Sequence, residues 1–174
     1  MNYLHNDVKS ENILVGHENT DLVYLIDFGL ATRFLDPETG EHIPEETLRK
    51  FNGNFMFASK NQCDGFTNSR RSDIEAAFYL LIYMLNHSVL PWSCLSLRSD
   101  LSFTQLLFER TKSNYIKQLF RMTPSDLRNC LIKVLRLQFD EEPPYDYILS
   151  ELQAGFRKAV LAQQPRCPQS SVAP

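Results

Sequence analysis

Ten consecutive apolar residues, Ala76 to Leu85, leave this chain few ways to fold. A membrane-spanning helix needs roughly 20, so the run reads as a buried core helix. Being apolar on every side, that helix must be wrapped by other elements. Just upstream, Ser72-Asp73-Ile74-Glu75 has the form of a capping box, in which the serine and glutamate side chains satisfy exposed backbone donors, and it marks the predicted helix start.

The wrapping elements follow. A weaker helical stretch, Phe103 to Phe120, carries Leu106, Leu107, Phe108, Ile116 and Leu119. Thr123-Pro124-Ser125-Asp126 reads as another helix start with proline at the first position, and Leu127, Cys130, Leu131, Val134 and Leu135 form its apolar stripe. A last helix follows Pro143-Pro144, with Ile148, Leu149, Leu152 and Phe156 on one face. From Gln163 the chain is rich in Pro, Gln and Ser, which predicts a disordered tail, with the boundary placed at residues 161–174. On the N-terminal side, Ile13–Gly16 and Leu22–Ile26 flank a polar turn and predict a β-hairpin. Between it and the helices, Leu30 to Ser69 has no sustained period, and loops of that length are usually functional.

With 174 residues, 43% of them hydrophobic, the chain can bury the core of a single domain. The formal charge of −3 is spread along the chain, giving no basic footprint for nucleic acid. No apolar secretory leader is visible, no run is long enough to span a membrane, and the expected location is intracellular, with cytoplasm and nucleus both open. Cys63, Cys94, Cys130 and Cys167 are too scattered for a C-x-x-C metal site or a disulfide framework, and the first three read as small buried hydrophobes.

The chemistry is concentrated in the first 29 residues. His5-Asn6-Asp7-Val8-Lys9-Ser10-Glu11-Asn12 resembles the protein-kinase catalytic loop, and Asp27-Phe28-Gly29 resembles the kinase magnesium loop. Phosphoryl transfer needs a carboxylate beside the attacking hydroxyl, a cation near the γ-phosphate, and oxygen ligands that hold Mg²⁺ against the phosphates of ATP. Asp7 fits the first role, Lys9 the second, and Asn12 and Asp27 the last. The hairpin would return Asp27 to the side of Asp7 and Asn12. Singly, each residue could be a loop cap or a solvated charge. The spaced His, Asp, Lys and Asn arise together by chance on the order of once in a thousand chains of this length.

Further segments extend the likeness. Asp36-Pro37-Glu38-Thr39-Gly40-Glu41-His42-Ile43-Pro44, Ser59-Lys60-Asn61, Ser69-Arg70-Arg71-Ser72-Asp73-Ile74-Glu75, Leu90-Pro91-Trp92 and Leu137-Gln138-Phe139-Asp140 resemble the casein kinase 1 family of serine/threonine protein kinases. The resemblance implies a mainly α fold with a small β-hairpin, the α+β C-lobe of a protein kinase, spanning residues 1–160. It also implies ATP and Mg as cofactors and a protein substrate that offers a Ser or Thr hydroxyl. The 30–69 loop would be the activation segment, and Asp73 would accept hydrogen bonds from the catalytic-loop backbone. Glu75 is left open between a helix cap and a family-specific role.

Three departures stand out. Asn6 replaces the arginine that follows histidine in the family, so gating by a phosphorylated activation segment is not expected. Asn54-Phe55-Met56-Phe57 stands where the family resembles Thr-Ala-Arg-Tyr, and Met56 cannot bind an anion, which predicts weak or absent selectivity for acidic or phosphate-primed substrates. Phe78 occupies a position where the family usually has glycine, and nothing in the sequence accounts for it.

The six glycines never form G-x-G-x-x-G and only eight residues precede Lys9, so the strand-rich N-lobe is read as absent. Because positioning supplies about 7–11 kcal/mol of barrier reduction, little transfer is expected from this chain alone. The Ala76–Leu85 helix is expected to lose partners, leaving an apolar face for association. Two other readings stay open. One is a non-catalytic pseudokinase fragment that serves as a protein-binding module; the other is a residual fragment without a stable fold.

Overall fold

Two short antiparallel pairs come first in the chain. Strand β1 (Tyr3–Leu4) pairs with β4 (Thr32–Arg33), and β2 (Ile13–Val15) pairs with β3 (Val23–Leu25) with Leu14 opposite Tyr24. The computed structural model describes residues 2–48, 51–95 and 101–163. The β2–β3 pair is the predicted hairpin. Its turn closes as Gly16 N–H donates to the Leu22 carbonyl (2.9 Å), and a Cβ on Gly16 would lie 2.4 Å from the Asn19 carbonyl oxygen.

The long loop is less irregular than expected. It holds β4 and a short helix α1 (Lys60–Cys63), started by Ser59, whose hydroxyl accepts from Gln62 N–H at 3.1 Å. Helix α2 (Arg70–Leu85) begins ahead of the predicted capping box. Ser72 lies inside the helix and accepts from Ser69 N–H (3.2 Å), so Ser69 takes the cap position assigned to Ser72. Glu75 does not cap α2; it is buried and accepts from Lys60 N–H at the start of α1.

Helix α3 (Leu101–Met122) and α4 (Ser125–Leu135) complete the first unit, residues 1–143, with α4 packed on α2 and α3 on α1. Pro124 falls at the cap of α4, one residue before its expected place. The stripe on α4 is as predicted at its centre, where Cys130, Leu131 and Val134 are buried. Around α2, Ala76, Phe78, Tyr79, Leu80 and Ile82 are buried, so the apolar face expected to lie open is confined to Ala77, Met84 and Leu85. Exposed apolar side chains gather instead on the hairpin, at Leu14, Val15, Leu22, Val23, Tyr24 and Leu25, and on Phe28 just after it. Cys63 and Cys130 are buried as expected, but Cys94 is exposed.

The second unit, residues 144–174, consists of α5 (Tyr145–Gln163) and the segment after it. Helix α5 runs through residues 161–163, the first part of the predicted tail, and residues 164–174 lie outside the described ones. On the predicted apolar face Ile148 is buried, Leu152 half-buried, and Leu149 and Phe156 exposed. Among the described residues no helix is long and apolar enough to cross a membrane.

Candidate active site

The His5–Asn12 loop, which resembles a kinase catalytic loop, is suspended from the first turn of α2. Asp73 accepts His5 N–H on Oδ2 (2.6 Å) and Asn6 N–H on Oδ1 (2.9 Å), as the family likeness implied. Burial pushes its carboxyl above the ordinary carboxylate range, against the pull of these two bonds. His5 ties the loop to the end of the hairpin. Its Nδ1 accepts from Asp7 N–H (3.3 Å), which leaves Nε2–H to donate to the Ile26 carbonyl (2.9 Å). The ring also meets Phe28 edge-on, 5.0 Å between centroids.

Asp7 is the centre of the arrangement. It is buried, and its Oδ2 accepts from Lys9 Nζ (2.5 Å) and from Asn12 Nδ2 (3.2 Å). Asn12 Nδ2 also donates to the Asp7 carbonyl (2.9 Å), so Asn12 braces both ends of the aspartate. Asp7 Oδ1 is buried without a hydrogen-bond partner among the described residues. The hydrogen bond to Asp7 is the main reason the Lys9 ammonium sits above its ordinary range; partial desolvation opposes this, and the charges of Asp7, Glu11 and Asp27 reinforce it. Lys9 is therefore a standing cation within the field of both aspartates.

Asp27 reaches the same place because Ile26 N–H donates to the Asn12 carbonyl (2.9 Å), pinning the end of the hairpin to the catalytic loop. Asp27 and Asn6 both stand in the left-handed region, at φ 62° and 65°, a conformation Asn and Asp tolerate better than other non-glycine residues. Asp27 Oδ1 accepts from Gly29 N–H (3.2 Å), and the residue as a whole is exposed. All four candidate residues are thus gathered on one loop and one strand end. Asn12 and Asp27 offer hard oxygen donors. That donor set suits Mg²⁺, which takes one or two carboxylates and fills its remaining positions with water and phosphate.

Gly53 and Gln62, which carry no sequence signal, and Glu75, Arg70 and Arg71 also shape the site. Gly53 stands at φ 115°, and a Cβ there would lie 2.8 Å from Gln62 Nε2 and 3.0 Å from the Asn6 carbonyl, so the 30–69 segment passes the His5–Asn12 loop at backbone contact. Gln62 reaches back to the Asn52 carbonyl (2.5 Å). Glu75 accepts from Lys60 N–H (2.7 Å) and Tyr79 O–H (2.6 Å), which joins α2 to the residues standing where most kinases have Ala-Pro-Glu. Arg70 and Arg71 donate to the Asp140 and Leu137 carbonyls (2.6 and 2.5 Å), holding the segment after α4.

A helical lobe that carries such a loop, hairpin and Asp-Phe-Gly turn is compatible with the C-lobe of a protein kinase. No protein-family model matches the chain. Over 150 residues, 84% of its length, it is 32% identical to Casein kinase I homolog 2 of Schizosaccharomyces pombe, and it spans 34% of that protein. The chain belongs to the casein kinase 1-like protein kinases.

Proposed function

We propose that this chain forms the large lobe of a casein kinase 1-like catalytic domain that transfers the γ-phosphoryl group of ATP to a Ser or Thr hydroxyl of a protein. The observation that carries the proposal is the state of Asp7. Lys9 and Asn12 occupy Oδ2 and hold the carboxylate in one orientation, while Oδ1 keeps its lone pairs for an incoming hydroxyl proton. Lys9, cationic at neutral pH, faces the charge that develops on the transferred group. Lysine two residues after the aspartate is the serine/threonine form of the motif. Asn12 and Asp27 would hold Mg²⁺. When bound, that ion neutralises phosphate charge and fixes the γ-phosphoryl group for attack. The protein substrate, ATP and Mg²⁺ are the ligands this reading requires.

The sequence contains no G-x-G-x-x-G phosphate loop, so transfer by these 174 residues alone is expected to be slow. Nucleotide binding is the cleaner test. Mg²⁺ and ATP together should raise the thermal midpoint of the wild-type chain, with no rise for Asp27→Asn. A folded wild type that does not shift, or an equal shift in Asp27→Asn, would contradict the proposal.

The exposed apolar hairpin favours the second reading, a protein-binding module, because Leu14, Val15, Val23 and Tyr24 present a surface that a neighbouring body would cover. A module of this kind would bind its partner equally well after Asp7→Asn and Asp27→Asn.

A further inference from the structure

A lysine inside an apolar core is costly unless its ammonium is satisfied, because burial strips its hydration. Lys112, halfway along α3, is 2% exposed. Its Nζ donates to the Ala58 carbonyl and stands 5.1 Å from the ring centroids of both Tyr79 and Trp92. The same stretch of backbone is gripped at two more places. Trp92 Nε1–H donates to the Met56 carbonyl (2.8 Å), and Glu75 accepts from Lys60 N–H (2.7 Å). Residues 56, 58 and 60 are thus each held by a buried side chain from outside the segment, where a β-strand would be held by a neighbouring backbone. On its other side, Asn54 Oδ1 accepts from Met56 N–H (2.8 Å) and Phe57 N–H (3.4 Å), and Ala58 N–H donates to the Asn54 carbonyl (2.8 Å). Asn54 and Ala58 line, with Asp7 and Asp73, a cavity of about 10 Å³, so this gripped segment stands directly beside the candidate catalytic aspartate.

We propose that Lys112 is a positioning residue: its buried ammonium holds the Ala58 carbonyl and so fixes where the Asn54–Ala58 segment stands beside Asp7. The substrate side of this assignment rests on the reading of Asp7 as the acceptor of the hydroxyl proton. The bland alternative is a lysine whose stem merely fills the core. The two differ in what methionine does there. Methionine replaces the stem and removes the donor, so a filler role predicts little change, whereas a positioning role predicts local loosening. The geometry favours positioning, since the ammonium, which also meets the Cys63 side chain, donates to a backbone carbonyl of the segment itself.

The test compares the full chain with Lys112→Met and Lys112→Arg by amide hydrogen exchange. Trp92, the single tryptophan and 0% exposed, serves as a fluorescent reporter of the ammonium beside it. In Lys112→Met, exchange over residues 54–62 should rise at least about tenfold, as expected for the loss of one charged hydrogen bond, with α2 and α4 protected as in wild type. Trp92 emission should shift, and Lys112→Arg, which keeps a cation and a donor, should restore both signals. Unchanged exchange over 54–62, uniform acceleration across α2 and α4, or global unfolding of Lys112→Met would each overturn the assignment. So would an arginine variant that exchanges as fast as methionine. No nucleotide enters this measurement, so its failure is separable from a failure of the Asp7 reading.

Discussion

The side-chain amide of Asn6 donates to the Leu30 carbonyl at 2.7 Å, fastening the start of the 30–69 segment to the His5–Asn12 loop. The same nitrogen donates to Thr32 Oγ1 (2.8 Å), and Asn6 Oδ1 accepts from Asn68 Nδ2 (3.0 Å). A neutral amide thus makes the connection, with no phosphate called for. Phosphorylation between Leu30 and Ser59 should therefore not be required, and Thr39→Ala and Thr47→Ala should leave the Mg²⁺–ATP thermal shift unchanged. A binding or transfer activity that appears only after phosphorylation of this stretch would contradict that.

Stability should report the same fastening. Asn6→Ala gives up the amide bonds, about 1 kcal/mol net, and forces a Cβ residue without a local polar anchor to φ 65°, about 1 kcal/mol more. Asn6→Gly keeps only the first cost, so urea unfolding should place glycine between wild type and alanine. Alanine equal to glycine would show that the backbone conformation contributes nothing.

Gly53 allows a sharper test of how closely the 30–69 segment passes the His5–Asn12 loop. Gly53→Ala places a methyl 2.8 Å from Gln62 Nε2 and 3.0 Å from the Asn6 carbonyl at φ 115°. It should cost about 1–3 kcal/mol, at the upper end of the range for strained backbone. Gly40, also at positive φ but with nothing within 4 Å, should cost less on the same substitution. The reverse order in urea denaturation would contradict the close approach.

Glu75 predicts an unusual pH dependence. Burial raises its carboxyl above the ordinary 4.5, although the bonds from Tyr79 and Lys60 and the charges of Lys112 and Arg71 pull the other way. The folded chain therefore binds this proton more tightly than the unfolded chain does. The associated stability is present below pH 4.5 and is lost as pH rises through the folded value. Asp73 has the same sign. Glu75→Gln keeps an acceptor for Lys60 N–H but cannot titrate, so its unfolding free energy should fall less with rising pH than that of wild type. Parallel pH profiles would contradict this.

Substrate selectivity should follow from Met56. Its backbone is held by Asn54 and Trp92, and its sulfur lies 3.8 Å from Ser93 Oγ, so this position offers no charge to a phosphate or carboxylate. A peptide library should show weak or absent preference for acidic or phosphorylated residues around the acceptor. Strong acidic selectivity would overturn the inference.

Short-range signals made much of this legible. The His5 to Asn12 spacing and the strand that runs into Asp27 were enough to anticipate four residues on one loop and one strand end. The apolar periodicity of α4 and the ten-residue run of α2 fixed the helical core. The start of α2 is ambiguous in the sequence because Ser69 and Ser72 can both cap a helix, and only the rest of the fold selects between them. The roles of Glu75 and Lys112 were hidden for a different reason. Each charge is made tolerable by partners far away in sequence, Lys60 for one and Ala58 for the other. Cys94 shows the converse, a residue type that is usually buried left exposed after the Leu90-Pro91-Trp92 turn.

The central claim is that Asp7 accepts the proton of a Ser or Thr hydroxyl. Single-turnover transfer from ATP to matched serine, threonine and tyrosine peptides, comparing wild type with Asp7→Asn, tests it most directly. Wild type should label serine and threonine slowly and tyrosine not at all, and Asp7→Asn should be slower by about 10²–10⁴-fold, the usual contribution of general base catalysis. Transfer that is unchanged in Asp7→Asn, or directed to tyrosine, would contradict it.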